Sequence, residues 1–323
     1  MDGVVKAVDG VSFSVERGQT LGVVGESGSG KSVTFLTIMG LTSLKAARVE
    51  GEVLYKGRNL LALSQKDMRQ IRGDEVGMIF QDPMTSLHPM YKVGDQIAEA
   101  IRAHRDVNKD EARTQVVDLL KRVGIPLPEE RARQYPHEYS GGMRQRAMIA
   151  MALSLSPDLL IADEPTTALD VTVQAQIMEL IDRMKEEFNI GVVLITHDLG
   201  VVADVAQKVM VMYAGRAIEF GSKEKVFQQP LHPYAWGLLE SIPAVDRRVD
   251  RLIPIEGSPP SLIHVPPGCP FHPRCPHRFE PCDKDRPELI DRGGTHPDAC
   301  HLSIEEKKRL WTRREEQRTA TPV

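Results

Sequence analysis

An α/β fold built on a parallel sheet is predicted by three observations. Residues 25–32 read Gly-Glu-Ser-Gly-Ser-Gly-Lys-Ser between a strand-like run, Thr20–Val24, and a helix-like run, Val33–Leu41. Two further apolar runs, 159–164 and 192–196, carry polar residues only at their C-terminal ends. Parallel strands buried on both faces look like this when that edge faces a ligand. Finally, a helix-patterned stretch over 83–157 divides the early strands from the later strand–helix alternation.

The string 25–32 fits the phosphate-loop pattern G-x-x-x-x-G-K-[ST] in full. Gly25, Glu26, Ser27, Gly28, Ser29, Gly30, Lys31 and Ser32 are therefore candidate nucleotide contacts. The glycines let backbone N–H groups close around phosphate oxygens at a helix N-terminus. Lys31 supplies a point charge for the β- and γ-phosphates, and the Ser32 hydroxyl can ligate Mg²⁺. Such a loop signals a nucleotide and no more.

Ser140, Gly141 and Gly142 precede a helical run, Met143–Leu155, and offer a hydroxyl and N–H groups as a second anion site. The alternative is a plain glycine-rich cap. Leu159–Glu164 is a strand that ends in two carboxylates; Asp163 would hold Mg²⁺ through water and Glu164 would orient or deprotonate an attacking water. An ordinary solvated turn is the competing reading. Asp170 follows, and the strand Val192–Thr196 ends at His197 and Asp198. Gln81 comes after a short strand, Gly77–Phe80.

The order of these pieces carries more than any one of them. The chain resembles the ATPase subunits of ABC transporters, with each diagnostic motif present. The resemblance implies a P-loop ABC ATPase core with an inserted helical subdomain. It implies that Gln81 senses Mg²⁺ and nucleotide and couples them to the membrane partner. It makes Asp163 the Walker B aspartate, Glu164 the catalytic carboxylate, Asp170 the D-loop residue and His197 the switch histidine. Ser140 and Gly142 would contact the γ-phosphate of ATP held by a facing subunit, and Ser32, Gln81 and Asp163 would surround Mg²⁺.

The wording is closer still to the oligopeptide/dipeptide importers. Phe80-Gln-Asp-Pro-Met-Thr-Ser-Leu-His-Pro89, Tyr139-Ser-Gly-Gly-Met-Arg-Gln-Arg146 and Ile161-Ala-Asp-Glu-Pro-Thr-Thr-Ala-Leu-Asp170 carry that likeness. Pro165-Thr-Thr167 and Met84-Thr-Ser86 look like the D-type subunit, and Met143 stands where the general signature has Gln. The likeness implies peptide import driven by ATP hydrolysis, an F-type ATPase as the second subunit, two membrane permeases and, indirectly, an extracytoplasmic solute-binding protein. Nickel or another small solute, or a non-transport ABC ATPase with a metal-sensing tail, are the alternatives. These ATPases stack an aromatic on adenine from near the N-terminus. Phe13, in the alternating Val11–Val15, reads instead as a strand residue facing the core, so that contact has no assigned residue.

Composition agrees. A chain of 323 residues holds one large core plus an appendage, here 1–240 as the nucleotide-binding domain and 241–323 as a C-terminal domain. A net charge of −4 gives no footprint for nucleic acid. The run Arg102–Arg113 reads as a solvated helix face. No stretch approaches the roughly 18 to 20 apolar residues needed to span a bilayer, and Met1-Asp2-Gly3 opens no signal-peptide pattern. Transport then requires separate membrane subunits, with this chain peripheral on the cytoplasmic face of the inner membrane.

Half of the 22 prolines fall in 254–297, which forbids long helices there. All four cysteines lie in the same region: Cys269, Cys275, Cys282 and Cys300. Clustered cysteines in a cytoplasmic chain point to metal rather than disulfides. Four thiolates satisfy either tetrahedral Zn²⁺ or a [4Fe–4S] cluster, and His272, His277, His296 and His301 leave mixed ligation open. The spacing lacks the C-x2-C knuckle of common zinc sites; free thiols are the third possibility. Resemblance to the dipeptide-importer ATPases favours the iron–sulfur cluster. Its distance in sequence from the ATP motifs gives the segment a structural reading. The end, Ile304–Arg318, is a charged helix pattern.

Overall fold

The computed structural model describes residues 4–43, 47–241 and 254–320. Strand β1, Thr20–Val24, is buried throughout and ends at the glycine-rich loop; helix α1 runs Lys31–Ile38. A short hairpin of β2, Leu54–Tyr55, and β3, Arg58–Asn59, precedes helix α2, Gln65–Ile71. Strand β4, Val76–Ile79, is followed by helices α3, Pro83–Ser86, α4, Val93–His104, α5, Lys109–Arg122, α6, Pro128–Arg131, and α7, Gly141–Leu153. Alternation resumes with β5, Leu159–Asp163, α8, Val171–Phe188, β6, Gly191–Thr196, α9, Leu199–Val205, and β7, Lys208–Tyr213. Strand β8, Arg216–Ser222, helices α10, Lys223–Gln228, and α11, Pro233–Glu240, and finally α12, Ile304–Ala320, complete the described chain.

These elements fall into two compact units. One spans 15–20 and 35–195 and holds β4, β5 and β6 as a parallel set, with Ile161 opposite Met78 on one side and Val193 on the other. All three strands are apolar and almost wholly buried, as expected of strands covered on both faces. The helical insertion packs by spacing alone. Val93, Ile97 and Ile101 line one face of α4, and Ala112, Val116 and Leu120 line one face of α5, all buried. Asn108 caps α5 through a reciprocal box with Glu111.

The other unit takes 4–14, 21–34 and everything described after 195. Here β1 runs parallel to β7, with Leu21 opposite Lys208, and β7 pairs antiparallel with β8. The proline-rich segment lies along β8 without forming a regular strand: Phe220 N–H donates to Pro297 O and Ala299 N–H to Ile218 O. Buried charges pin it. Asp298 accepts from Lys307 at 2.5 Å and from Arg292 at 2.8 Å. Glu219, fully buried, accepts from the N–H groups of Leu231 and His232 and pairs with His296 Nε2 at 2.8 Å.

Two expectations from the sequence change. Val11–Val15 alternates between half-buried and exposed, but it is not a strand. Side-chain alternation reports one covered face; it does not report whether a sheet edge is open for backbone pairing. The charged run Arg102–Arg113 is the end of α4, a connection and the start of α5 rather than one helix face. The junction expected after residue 240 borders 242–253, outside the described residues.

Candidate functional site

The glycine-rich loop is shaped by backbone that other residues resist. Gly25 has φ +152° and a Cβ there would stand 2.2 Å from Met212 O; at Gly30, φ +98°, it would stand 2.4 Å from Ala7 O. Lys31 opens α1 and is buried, its Nζ donating to Gly25 O at 2.6 Å and Glu26 O at 3.0 Å. The ammonium thus sits inside the curl of the loop, held by carbonyls that a phosphate can replace as partners. Gly215 N–H donates to Ser29 O, and Thr34 Oγ1 donates back to Gly30 O, so both ends of the curl are tied. Ser32 lies in the first turn of α1. In the same unit, exposed His197 stands just past the end of β6, and Asp198 caps α9 by accepting from Gly200 and Val201 N–H.

The other unit carries the remaining residues. Asp163 closes β5 and is buried. Glu164 follows at φ +46°, a left-handed conformation that a non-glycine residue adopts at some cost. Its N–H donates to Ile195 O, and its Oε2 accepts from Gln81 Nε2 at 2.9 Å and Thr167 Oγ1 at 2.8 Å. The structure therefore brings Gln81 and Glu164 into direct contact. Ser140 caps α7, its Oγ accepting from Met143 N–H, and Gly141 and Gly142 form the first turn. A Cβ on Gly142 would press Val173 Cγ1 at 3.0 Å. Asp170 caps α8 by accepting from Val173 N–H, so it has a structural task beside any other.

Comparison with known proteins decides the family. The ABC transporter family model matches residues 8–167, and a model described as the C-terminal region of oligopeptide/dipeptide transporters matches 218–282. The dipeptide transport ATP-binding protein DppD of Bacillus subtilis is 54% identical over 93% of this chain and 90% of its own length. The oligopeptide transport ATP-binding protein OppD of Salmonella typhimurium is 50% identical over 94% of this chain and 90% of its own. This chain belongs to the family of dipeptide and oligopeptide transport ATP-binding proteins. Solved ABC cassettes share its fold. A dimeric ATP-binding cassette in a post-hydrolysis state, bound to ADP and Pi, is 29% identical with a TM-score of 0.60, over 67% of this chain and 90% of that one. CbiO1 from Clostridium perfringens is 30% identical, also at 0.60, over 69% of this chain and 84% of its own.

In this ABC ATPase the four cysteines are unpaired and line one cavity with His232, Phe271, His277 and Phe279. Burial pushes the Cys275 thiol up to about 11 and Cys300 up to about 12, and raises Cys269. Among the described residues, no three His, Cys, Asp or Glu side chains converge to hold a metal ion. The expectation of a metal-binding group therefore gains no support from ligand convergence. The histidines offered as mixed ligands are engaged elsewhere through one ring nitrogen each: His272 with Cys269 O, His277 with Arg314, His296 with Glu219 and His301 with Asp285 O.

Three contacts on Glu26 of this ATPase have no signal in the spacing of its residues. Its N–H donates to the Tyr234 hydroxyl at 2.8 Å. Its carboxylate takes Arg274 in a fork, at 2.6 and 3.0 Å. Arg274 also donates to the Tyr213 hydroxyl at 3.3 Å. No local spacing signals a pair 248 positions apart. Thr167 does have a local signal, its place three residues after Glu164.

Proposed function

We propose that this chain binds and hydrolyses ATP to power import of di- or oligopeptides through a membrane ABC transporter. The observation that carries hydrolysis is Glu164, held in a left-handed turn after β5 between Gln81 and Thr167. Gln81 and Thr167 fix the position of a carboxylate, the group suited to orient or deprotonate an attacking water. Gly25–Ser32 is our ATP cradle, with Lys31 exchanging loop carbonyls for phosphate oxygens. Ser32, Asp163 and Gln81 offer the hard oxygens that Mg²⁺ takes. Bound Mg²⁺ would neutralise charge on the β- and γ-phosphates. His197 is assigned as the switch histidine, Asp170 as the D-loop residue of the nucleotide site, and Ser140–Gly142 to the facing subunit's nucleotide. The peptide substrate rests on likeness to DppD and OppD over nearly the whole chain.

Residues 1–240 serve in this reading as the nucleotide-binding domain, with 83–157 as the helical subdomain, and 241–323 as the C-terminal domain. Among the described residues no helix is long and apolar enough to cross a membrane. The partners are two permeases, a second, F-type ATPase and, through the permeases, a solute-binding protein; the chain sits peripherally on the cytoplasmic face. The cysteine cavity is assigned a [4Fe–4S] cluster on the likeness to the dipeptide-importer ATPases and on the four thiols that share its lining.

ATPase assays of the isolated chain and of the reconstituted transporter test this reading. The isolated chain should turn over slowly, and activity should rise with the partner ATPase, the permeases and a peptide-loaded binding protein. Glu164→Gln should retain ATP but lose turnover in that assembly, and Lys31→Ala should lose both. Wild-type turnover by Glu164→Gln would remove it as the catalytic carboxylate, and stimulation by a non-peptide solute alone would remove the peptide assignment.

A further inference from the structure

Glu26 is an odd residue to find in a phosphate cradle. Its carboxylate lies within the loop that must accept a polyanion, and like charges there oppose binding. The structure answers this with a clamp drawn from the far end of the chain. Both carboxylate oxygens accept from Arg274, whose side chain is only 5% exposed. The backbone of Glu26 is held too, its N–H by the Tyr234 hydroxyl and its carbonyl by Lys31 Nζ. The guanidinium lies near the rings of Tyr213 and Phe271. Its remaining donors reach the carbonyls of Ile255, Glu256 and Gly257. Almost every N–H of the fork is therefore used, which fixes the plane in which it meets Glu26.

We propose that Arg274 is a positioning residue for the phosphate loop: it neutralises Glu26 and holds the loop open for ATP, tying nucleotide affinity to the fold of the cysteine-bearing segment. Arg274 immediately precedes Cys275, which lines the cysteine cavity, and the short turn His272–Arg274 joins the two. Whatever orders that cavity also sets where the guanidinium points. The inference rests on the reading of Gly25–Ser32 as the ATP cradle.

Equilibrium binding of a fluorescent ATP analogue to the full-length chain tests it. Arg274→Met should weaken binding about tenfold, the scale of a charge-assisted pair lost beside a remaining charge. Adding Glu26→Gln to Arg274→Met should recover at least about threefold, because the orphaned carboxylate is gone. A merely structural role predicts no such rescue. Arg274→Lys, which keeps the charge but not the fork, supplies the measurement if Arg274→Met does not fold, and should weaken binding at least about threefold. Binding by the folded single variant within about twofold of wild type, or a double variant no better than Arg274→Met, would overturn the clamp. A wild-type chain that fails to bind the analogue would instead overturn the nucleotide reading itself.

Discussion

At the scale of single residues, the unit that holds β7 and β8 contains buried groups whose protonation state affects stability. His232 is the clearest. Its Nδ1 accepts from Tyr234 N–H at 3.0 Å, and burial, reinforced by the charge of Lys307, holds its pKa down to about 3 from 6.5. The folded chain therefore wants the neutral ring, while the unfolded chain takes up a proton near the ordinary value. The stabilisation is complete above pH 6.5 and is lost as pH falls from there toward about 3. Each pH unit in that window costs about 1.4 kcal/mol. Urea midpoints measured from pH 7 down to 4 should fall more steeply for wild type than for His232→Gln. Equal slopes would refute the assignment. Glu164 tells a related story through its backbone: its left-handed φ is tolerated because Gln81, Thr167 and Ile195 all hold it.

Elements followed the sequence where burial is periodic. Helix α4, Val93–His104, lies within the helix-patterned stretch 83–157, and Val93, Ile97 and Ile101 recur on its buried face. Helix α5 begins at Lys109 because Asn108 and Glu111 form the capping box. Asn108→Ala should destabilise the chain by about 1 kcal/mol. The urea midpoint should drop at unchanged slope, while affinity for the ATP analogue stays put. A midpoint equal to wild type would show that the box adds nothing. Val11–Val15 fails the same kind of reading, since period two describes a face and leaves the backbone partner unspecified.

On the scale of the whole molecule, the proline-rich end is held by few regular hydrogen bonds and many special contacts. Lys307 and Asp298 are a fully buried ion pair, and Cys269, Cys282 and Cys300 are buried thiols around one cavity. Burial keeps the thiols of Cys269, Cys275 and Cys300 high in pKa, so they become acceptable as thiolates only beside compensating positive charge, and metal binding at such sites is coupled to folding. Anaerobically purified protein should contain about four iron atoms per chain. Chelation or Cys282→Ser should remove the iron and speed proteolysis of residues beyond 254. Stoichiometric zinc, or a tail that stays protease-resistant without any metal, would overturn the cluster.

Residue spacing alone specified the motif order, the glycine-rich loop between β1 and α1, the Ser140 cap and the buried parallel strands. Those features depend on neighbours a few positions apart, where hydrogen-bond reach and burial period are written directly into residue spacing. Folding in three dimensions is what joins Gln81 to Glu164, 83 positions away, and Arg274 to Glu26, 248 away. A charged side chain carries no mark of its distant partner. The pairing exists because folding brings two backbones to one place and leaves each charge a partner rather than water. The cysteine segment is far from residues 25–32 along the chain, yet the fold sets its arginine on the glycine-rich loop.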